Sequence, residues 1–292
     1  SLFVKGTPSG FQREMRNMGY WSYEVPEFTW EHFNLAGGRC EARNRFRDYD
    51  LIFLEDLGGN AGTLTGSGGP PVVYLSVDST LSERHYTDRR NKASMADLIL
   101  VDHDKPSRFH LDGKRALRLA YCINDHVFKP LEKTLDISFH CGAGASQGQP
   151  GGAERVDLRQ YLHTLHEIYG YSYRSGSMGL LEYAESMGHS RVIVNWPRTP
   201  INRSHRVLDA MACGACLVTG MLPDVPEDKI ARDVHYVAFE SKEELPYMLE
   251  SLFSENRWQE VANNGYKLVM ENHTWAIRAR ELREMLSKEL GL

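Results

Sequence analysis

The sequence predicts an α/β protein made of two doubly wound domains with parallel sheets. Three observations carry this expectation. Short apolar runs alternate with amphipathic stretches along most of the 292 residues, which is the pattern of repeated strand–helix–strand units. Several runs end in glycine or an acidic residue, as at Val4-Lys5-Gly6, Leu54-Glu55-Asp56 and Ser76-Val77-Asp78. Open α/β sheets place ligands at such strand ends. Finally, the pattern restarts: CINDHVFKP at 122–130 interrupts it, and a new apolar run begins at Leu135. The expected domains are therefore 1–130 and 131–292, each within the usual ~100–200 residues.

In the first domain, Leu2–Lys5 reads as a strand, GTPSG as a glycine-rich turn and FQREMRNMGY as a helix. That turn makes Ser9 and Gly10 candidates for contact with a ligand. Tyr20–Val25 reads as the next strand, followed by a mixed stretch and a basic helix ending near Phe46. Leu51–Glu55 is a buried strand capped by Asp56. The segment GGNAGTLTGSGGPP lacks a GK[ST] ending, so it reads as a mobile loop and not as a phosphate-binding P-loop. Val72–Val77 delivers Asp78 to a strand end, residues 80–96 are helical, and Leu98–Asp102 and Leu117–Tyr121 complete the sheet. A general base at such a strand end is a carboxylate or a histidine. Asp78 is the first candidate, followed by Asp56 and His85.

The second domain opens with LDISFHCGAG, an apolar strand running into Gly142 and Gly144, where backbone can approach a phosphate closely. A helix over Arg155–Tyr169 shows an apolar face of Leu158, Tyr161, Leu162, Leu165 and Ile168. Tyr171–Arg174 is a strand, Gly179–Met187 a helix, and Arg191–Trp196 a strand that ends in Asn195. The stretch NRSHRVLDAMACGACLVTG at 202–220 reads as loop, short helix, glycine stop and buried strand. Ser204 is placed to cap the helix and Gly214 to end it at C′. A helix start with Arg206 in its first turn suits an anion, and Asp209 lies a turn further on roughly the same face. A nucleotide fits that pair, with the cation on its diphosphate and the carboxylate on its ribose. An ordinary amphipathic helix with a solvated first turn fits it equally. Beyond it, Ser241 with Glu244 forms a capping box, and two more helices follow.

Composition is that of an ordinary globular chain, 41% hydrophobic and 25% charged, with a net charge of −5. No apolar run approaches the ~18 residues of a membrane span. Five scattered cysteines suggest a reducing cytoplasm. Cys213 and Cys216 share a C-G-A-C spacing, but the first lies at a helix end, where the dipole disfavours a thiolate, so packing is expected. The twelve histidines show no metal-ligand spacing. Two basic clusters, Arg39/Arg43/Arg45/Arg47 and Arg84/Arg89/Arg90/Lys92, read as solvated faces or as contacts for a polyanion.

The stretch at 202–220 resembles the donor-site helix of GT-B glycosyltransferases, especially the group related to spore-maturation glycosyltransferases, with the pattern S-x-R-x-x-E-x-x-A-C-G. Ser204, Arg206, Ala212, Cys213 and Gly214 match it, and Asp209 stands where Glu is usual. Ile201 occupies the place of the first Glu of retaining E-x7-E families, which leaves the anomeric outcome open. Asn124, Asp125, Phe128 and Pro130 resemble the motif that closes the N-terminal domain of many such enzymes. His273, Thr274, Trp275 and Arg278 extend the likeness.

The resemblance implies two Rossmann-like domains facing across a cleft, with 1–130 binding the acceptor, 131–292 binding the nucleotide sugar, and residues 275–290 crossing back. It implies a UDP-sugar as co-substrate, with no further cofactor and no metal. The backbone at Ser204, His205 and Arg206 would hold the diphosphate, and the Arg206 guanidinium would also stabilise the leaving group. Asp209 would bind ribose, Tyr173 and Asn195 would line the base or sugar pocket, Gly142 would close on the phosphates, and Arg155 would stand near them. The acceptor is a small molecule or glycan, with hydroxymethylated bases of phage-type DNA as an alternative. A non-catalytic nucleotide-sugar or DNA-binding module on the same scaffold is the reading from another class.

Overall fold

In the computed structural model, which describes residues 2–5, 30–33, 40–56, 63–76, 83–102, 113–141, 151–197 and 203–291, the apolar runs become strands of parallel sheets. The chain divides into two units, Ser1–Ala120 with Ala276–Leu292, and Tyr121–Trp275. Residues 121–130 thus group with the second unit. Two backbone hydrogen bonds, Ile123 N–H to the His273 carbonyl and Trp275 N–H to the Ile123 carbonyl, fasten them there.

The first unit contains β1 (Leu2–Lys5), β2 (Trp30–Phe33), β3 (Cys40–Ala42), β4 (Leu51–Asp56), β5 (Thr63–Thr65), β6 (Val72–Ser76), α1 (Glu83–Ala93), β7 (Leu98–Val101) and β8 (Ala116–Arg118). Its main sheet runs β2-β1-β4-β6-β7-β8, parallel throughout. β6 and β7 are buried along their whole length, as unalternating apolar runs in a parallel sheet should be. Ile52, Leu54, Tyr74 and Ile99 pack with Phe46, Ala93 and Ala96 in its core.

Three expectations change here. The basic helix is only a four-residue 3-10 turn, Arg43–Phe46, because Phe46 is its single buried anchor. The glycine-rich segment contains β5, which pairs in parallel with β3, so Thr63–Thr65 is strand and not loop. Trp30–Phe33, within the stretch read as mixed, is the strand beside β1. The strand expected at Tyr20–Val25 lies outside the described residues.

The second unit holds β9 (Leu135–Phe139), α2 (Gly152–Tyr169), β10 (Tyr173–Ser175), α3 (Leu180–His189), β11 (Ser190–Asn195), α4 (Arg206–Ala212), β12 (Cys216–Thr219), β13 (Val237–Ala238), α5 (Leu245–Ser254) and α6 (Arg257–Asn272). Helix α7 (Trp275–Leu290) follows, and from Ala276 onward it belongs to the first unit. The sheet order is β10-β9-β11-β12-β13, again all parallel.

Alternate residues feed two cores. Ile137, Phe139, Val192, Val194, Cys216 and Val218 meet α2 and α5 on one face. Ile193, Ala215 and Leu217 meet α3 and α4 on the other. Both sheets place their second strand on one side of the first and their later strands on the other. The order therefore reverses between β1 and β4, and between β9 and β11. Ligands of open α/β sheets bind outside the carboxyl ends at such a point.

Candidate functional site

The site is built at the carboxyl end of β9, where the second sheet reverses, on the face covered by α3 and α4. Strand parity decides which side chains reach it. Phe139 and Cys141 join the core under α2, so Ser138 and His140 point to the opposite face. There the His140 ring meets Tyr183 of α3 edge-on at 5.2 Å. The Tyr183 hydroxyl donates to the Asp209 carboxylate of α4 at 3.2 Å. The ring of Phe128 packs edge-on against Tyr183 from the other side. His140 and Asp209 are only 5% and 3% exposed.

Burial dominates the acid–base behaviour. It pushes the Asp209 carboxyl up to about 8, against the opposing effects of the Tyr183 hydrogen bond and the Arg206 charge. It raises Tyr183 well above the ordinary phenol range, with Asp209 adding to the effect. It lowers His140 to about 4, and the positive charges of Arg206 and Arg174 push the same way. The free site therefore holds a neutral imidazole, a carboxyl that titrates near neutrality, and a guanidinium. Among the described residues, Arg206 enters no hydrogen bond or ion pair.

The ends of α4 explain how Arg206 is presented. Gly214 has φ +59°. Its N–H donates to the Met211 carbonyl and that of Ala215 to the Ala210 carbonyl, the paired bonds of a Schellman stop. The start departs from expectation. His205, in right-handed helical backbone, is the N-cap and makes no side-chain cap. Among the described residues the Ser204 hydroxyl caps nothing, and its oxygen is buried without a hydrogen bond. Only seven residues long, α4 carries the Arg206 side chain in its first turn.

The other expected donor residues separate from this cluster. Arg155 is buried, and its Nε and Nη2 both donate to the Trp196 carbonyl at 3.0 and 2.7 Å. It ties α2 to the exit of β11 and offers those two donors to no phosphate. Tyr173 packs against the α2-side core, and its hydroxyl donates to the Arg159 carbonyl. It shares no face with Arg206, since β10 pairs Tyr173 with Ile137 of that same core. Asn195 is buried and bonds Thr219 Oγ1 at 3.0 Å, bridging the ends of β11 and β12.

In the first unit, Asp56 is the last residue of β4 and His85 stands in the first turn of α1. Gly142, Ser9, Gly10 and Asp78 lie outside the described residues. The basic clusters thin out: Arg43 is committed to Asp97 and the Pro70 carbonyl, and Arg89 is buried.

His140 and Tyr183 escaped the sequence reading. The one available signal for His140 was its parity in LDISFHC, opposite to Phe139. Tyr183 had none beyond its helix. Cys213 and Cys216 are free and buried, and burial pushes the Cys216 thiol up to about 12 and Cys213 higher still. Among the described residues no cluster of three His, Cys, Asp or Glu is arranged to hold a metal ion, and no helix is long and apolar enough to cross a membrane.

Two parallel sheets of this order define the class: the fold is that of the GT-B glycosyltransferases. The glycosyl transferase-like family profile matches residues 127–284, more than half the chain, and the protein belongs to that family. Anabaena HepE in complex with UDP is similar over 98% of this chain and 99% of its own, at 12% identity and a TM-score of 0.62. A glycosyltransferase from Rickettsia africae covers 99% of this chain and 98% of its own at 10% identity and a TM-score of 0.62. A sucrose-phosphate synthase from Thermosynechococcus elongatus covers 84% and 74% at 14% identity and a TM-score of 0.55. At such identities the likeness is one of fold. No curated protein matches the sequence.

Proposed function

We propose that the protein transfers a hexose from a UDP-sugar to an acceptor hydroxyl, without a metal ion, in the reducing cytoplasm. The carrying observation is Arg206, a guanidinium with no partner among the described residues, beside the buried His140–Tyr183–Asp209 cluster at the switch point of the second sheet. A permanent forked cation there suits a diphosphate, and it offsets charge as the nucleotide leaves. Asp209 lies a turn away for a ribose hydroxyl. HepE has been solved with UDP-glucose bound, which supports UDP as the nucleotide. The run Ser204-x-Arg206-x-x-Asp209 with Ala212-Cys213-Gly214 favours the spore-maturation group.

A small molecule or glycan is the preferred acceptor. The alternative, hydroxymethylated DNA, loses weight because Arg43 is paired and Arg89 is buried. A salt-dependent gel shift at low ionic strength would revive it.

The test is Arg206→Ala, assayed by UDP release from UDP-sugars and by UDP binding. Loss of one such charge-stabilising group typically costs ~10²–10³ in turnover, so a fall of that size is expected, with weakened UDP binding. An Arg206→Ala protein that turns over and binds UDP normally would refute the assignment. UDP binding without release from any sugar nucleotide would instead favour the non-catalytic module.

A further inference from the structure

We infer that His140 is a phosphate-contacting residue of the donor site: its imidazole hydrogen-bonds the diphosphate of a bound nucleotide and gains a proton as that anion arrives. This rests on the sugar-nucleotide reading above and adds a residue and a proton to it. The ring stands one residue beyond β9, at the reversal of strand order. Among the described residues neither ring nitrogen makes a hydrogen bond although both are buried, an expensive arrangement unless a ligand completes it.

The described elements around the ring offer no other charge that could serve instead. α3 presents Tyr183, whose hydroxyl is already given to Asp209. α4 presents Arg206 and Asp209, and β10 presents Arg174, which pairs with Glu182 at 2.6 Å. The Gly176 backbone favours the protonated ring but supplies no bond of ordinary geometry. Arg206, with no partner among the described residues, and the nearby Arg174 guanidinium put positive charge around the ring, and what suits that field is an anion.

A diphosphate between them would cancel the field that now opposes protonation and give the ring an acceptor. The proton comes from bulk water, and no covalent bond forms or breaks. The protonated ring would then neutralise charge on the departing nucleotide.

The test uses the whole chain with ¹³C-labelled histidine, with UDP and uridine as probes at pH 7.5. On saturation with UDP, one histidine resonance that is missing from His140→Gln should move from the imidazole to the imidazolium position. Uridine should leave it in place. His140→Gln should weaken UDP binding about tenfold or more and uridine binding less than about twofold. UDP binding to the wild type with no histidine resonance moving would overturn the inference and leave the donor reading intact. No UDP binding to the wild type would overturn both. Should His140→Gln fail to fold, His140→Asn can assign the resonance, and the wild-type spectra alone still decide.

Discussion

The two units share a strand order but treat a buried arginine in opposite ways. In the second, Arg155 is 2% exposed and both Nε and Nη2 are satisfied by the Trp196 carbonyl. In the first, Arg89 is fully buried on the same face of α1 as Ala93, and none of its guanidinium nitrogens makes a hydrogen bond among the described residues. Topology tells where a ligand would bind. It does not tell whether a buried charge braces the fold or burdens it. Arg155 braces: it holds the chain just beyond β11 through the Trp196 carbonyl.

Exchanging each for methionine tests that contrast most strongly. Arg155→Met leaves the Trp196 carbonyl without these donors and should destabilise the second unit by ~1–3 kcal/mol. Arg89→Met removes an unsatisfied buried charge at similar volume and should stabilise by ~1–3 kcal/mol. Urea unfolding midpoints at neutral pH give both signs. Equal losses at the two positions would erase the distinction and mean that Arg89 has found a partner in solution.

Asp209 sharpens the comparison, because it is buried like Arg155 but lies in the proposed donor site. Its carboxyl is raised from 3.8 to about 8. A group raised on folding contributes fully below its unfolded value, and that contribution is lost as pH climbs through the folded value. The native state should therefore lose stability between about pH 4 and pH 8 through this residue. Asp209→Asn keeps an acceptor for the Tyr183 hydroxyl and removes the titration. It should stabilise by ~1–3 kcal/mol at pH 8.5 and by almost nothing at pH 4. If Asp209 meets ribose, UDP affinity falls in the same variant, a trade of function for stability. A pH-independent change in melting temperature would show that the carboxyl is not desolvated as the fold implies.

Much of the second unit could be read from residues because its signals are local. Ser241 and Glu244 form their capping box with both hydrogen bonds present, and Gly214 stops α4 as its position after Cys213 required. The apolar run LDISF reads as a strand, and Leu135–Phe139 is one. What failed depended on long-range pairing. Thr63–Thr65 is a strand only because Cys40–Ala42 lies beside it, and no periodicity in a glycine-rich run could announce that. The resemblance groups Tyr173 and Arg155 with Arg206, and the structure adds that Tyr173 faces the α2-side core and that Arg155 donates to the Trp196 carbonyl. His140 and Tyr183 became visible only as a contact between a strand end and a helix.

The smallest expected effect isolates one contact at the foot of α4. Gly170 and Gly214 both follow helices with positive φ, +73° and +59°. Alanine at either position adopts a left-handed backbone at a cost of ~1 kcal/mol. A Cβ at Gly170 would meet nothing within 4 Å, whereas at Gly214 it would lie 3.1 Å from Pro130 Cγ and 3.3 Å from its Cβ. Pro130 belongs to the segment that carries Phe128 into the core beside Tyr183. Gly214→Ala should thus cost a few tenths of a kcal/mol more than Gly170→Ala, an overpacking increment on the same backbone penalty. It should also weaken UDP binding a few-fold, because the push on Pro130 is shared with the helix that presents Arg206. Gly170→Ala, at the end of α2, should leave UDP binding unchanged. Calorimetric melting of the two variants with and without UDP separates these outcomes. Equal losses in both would mean that Pro130 yields freely and that α4 is not braced from below.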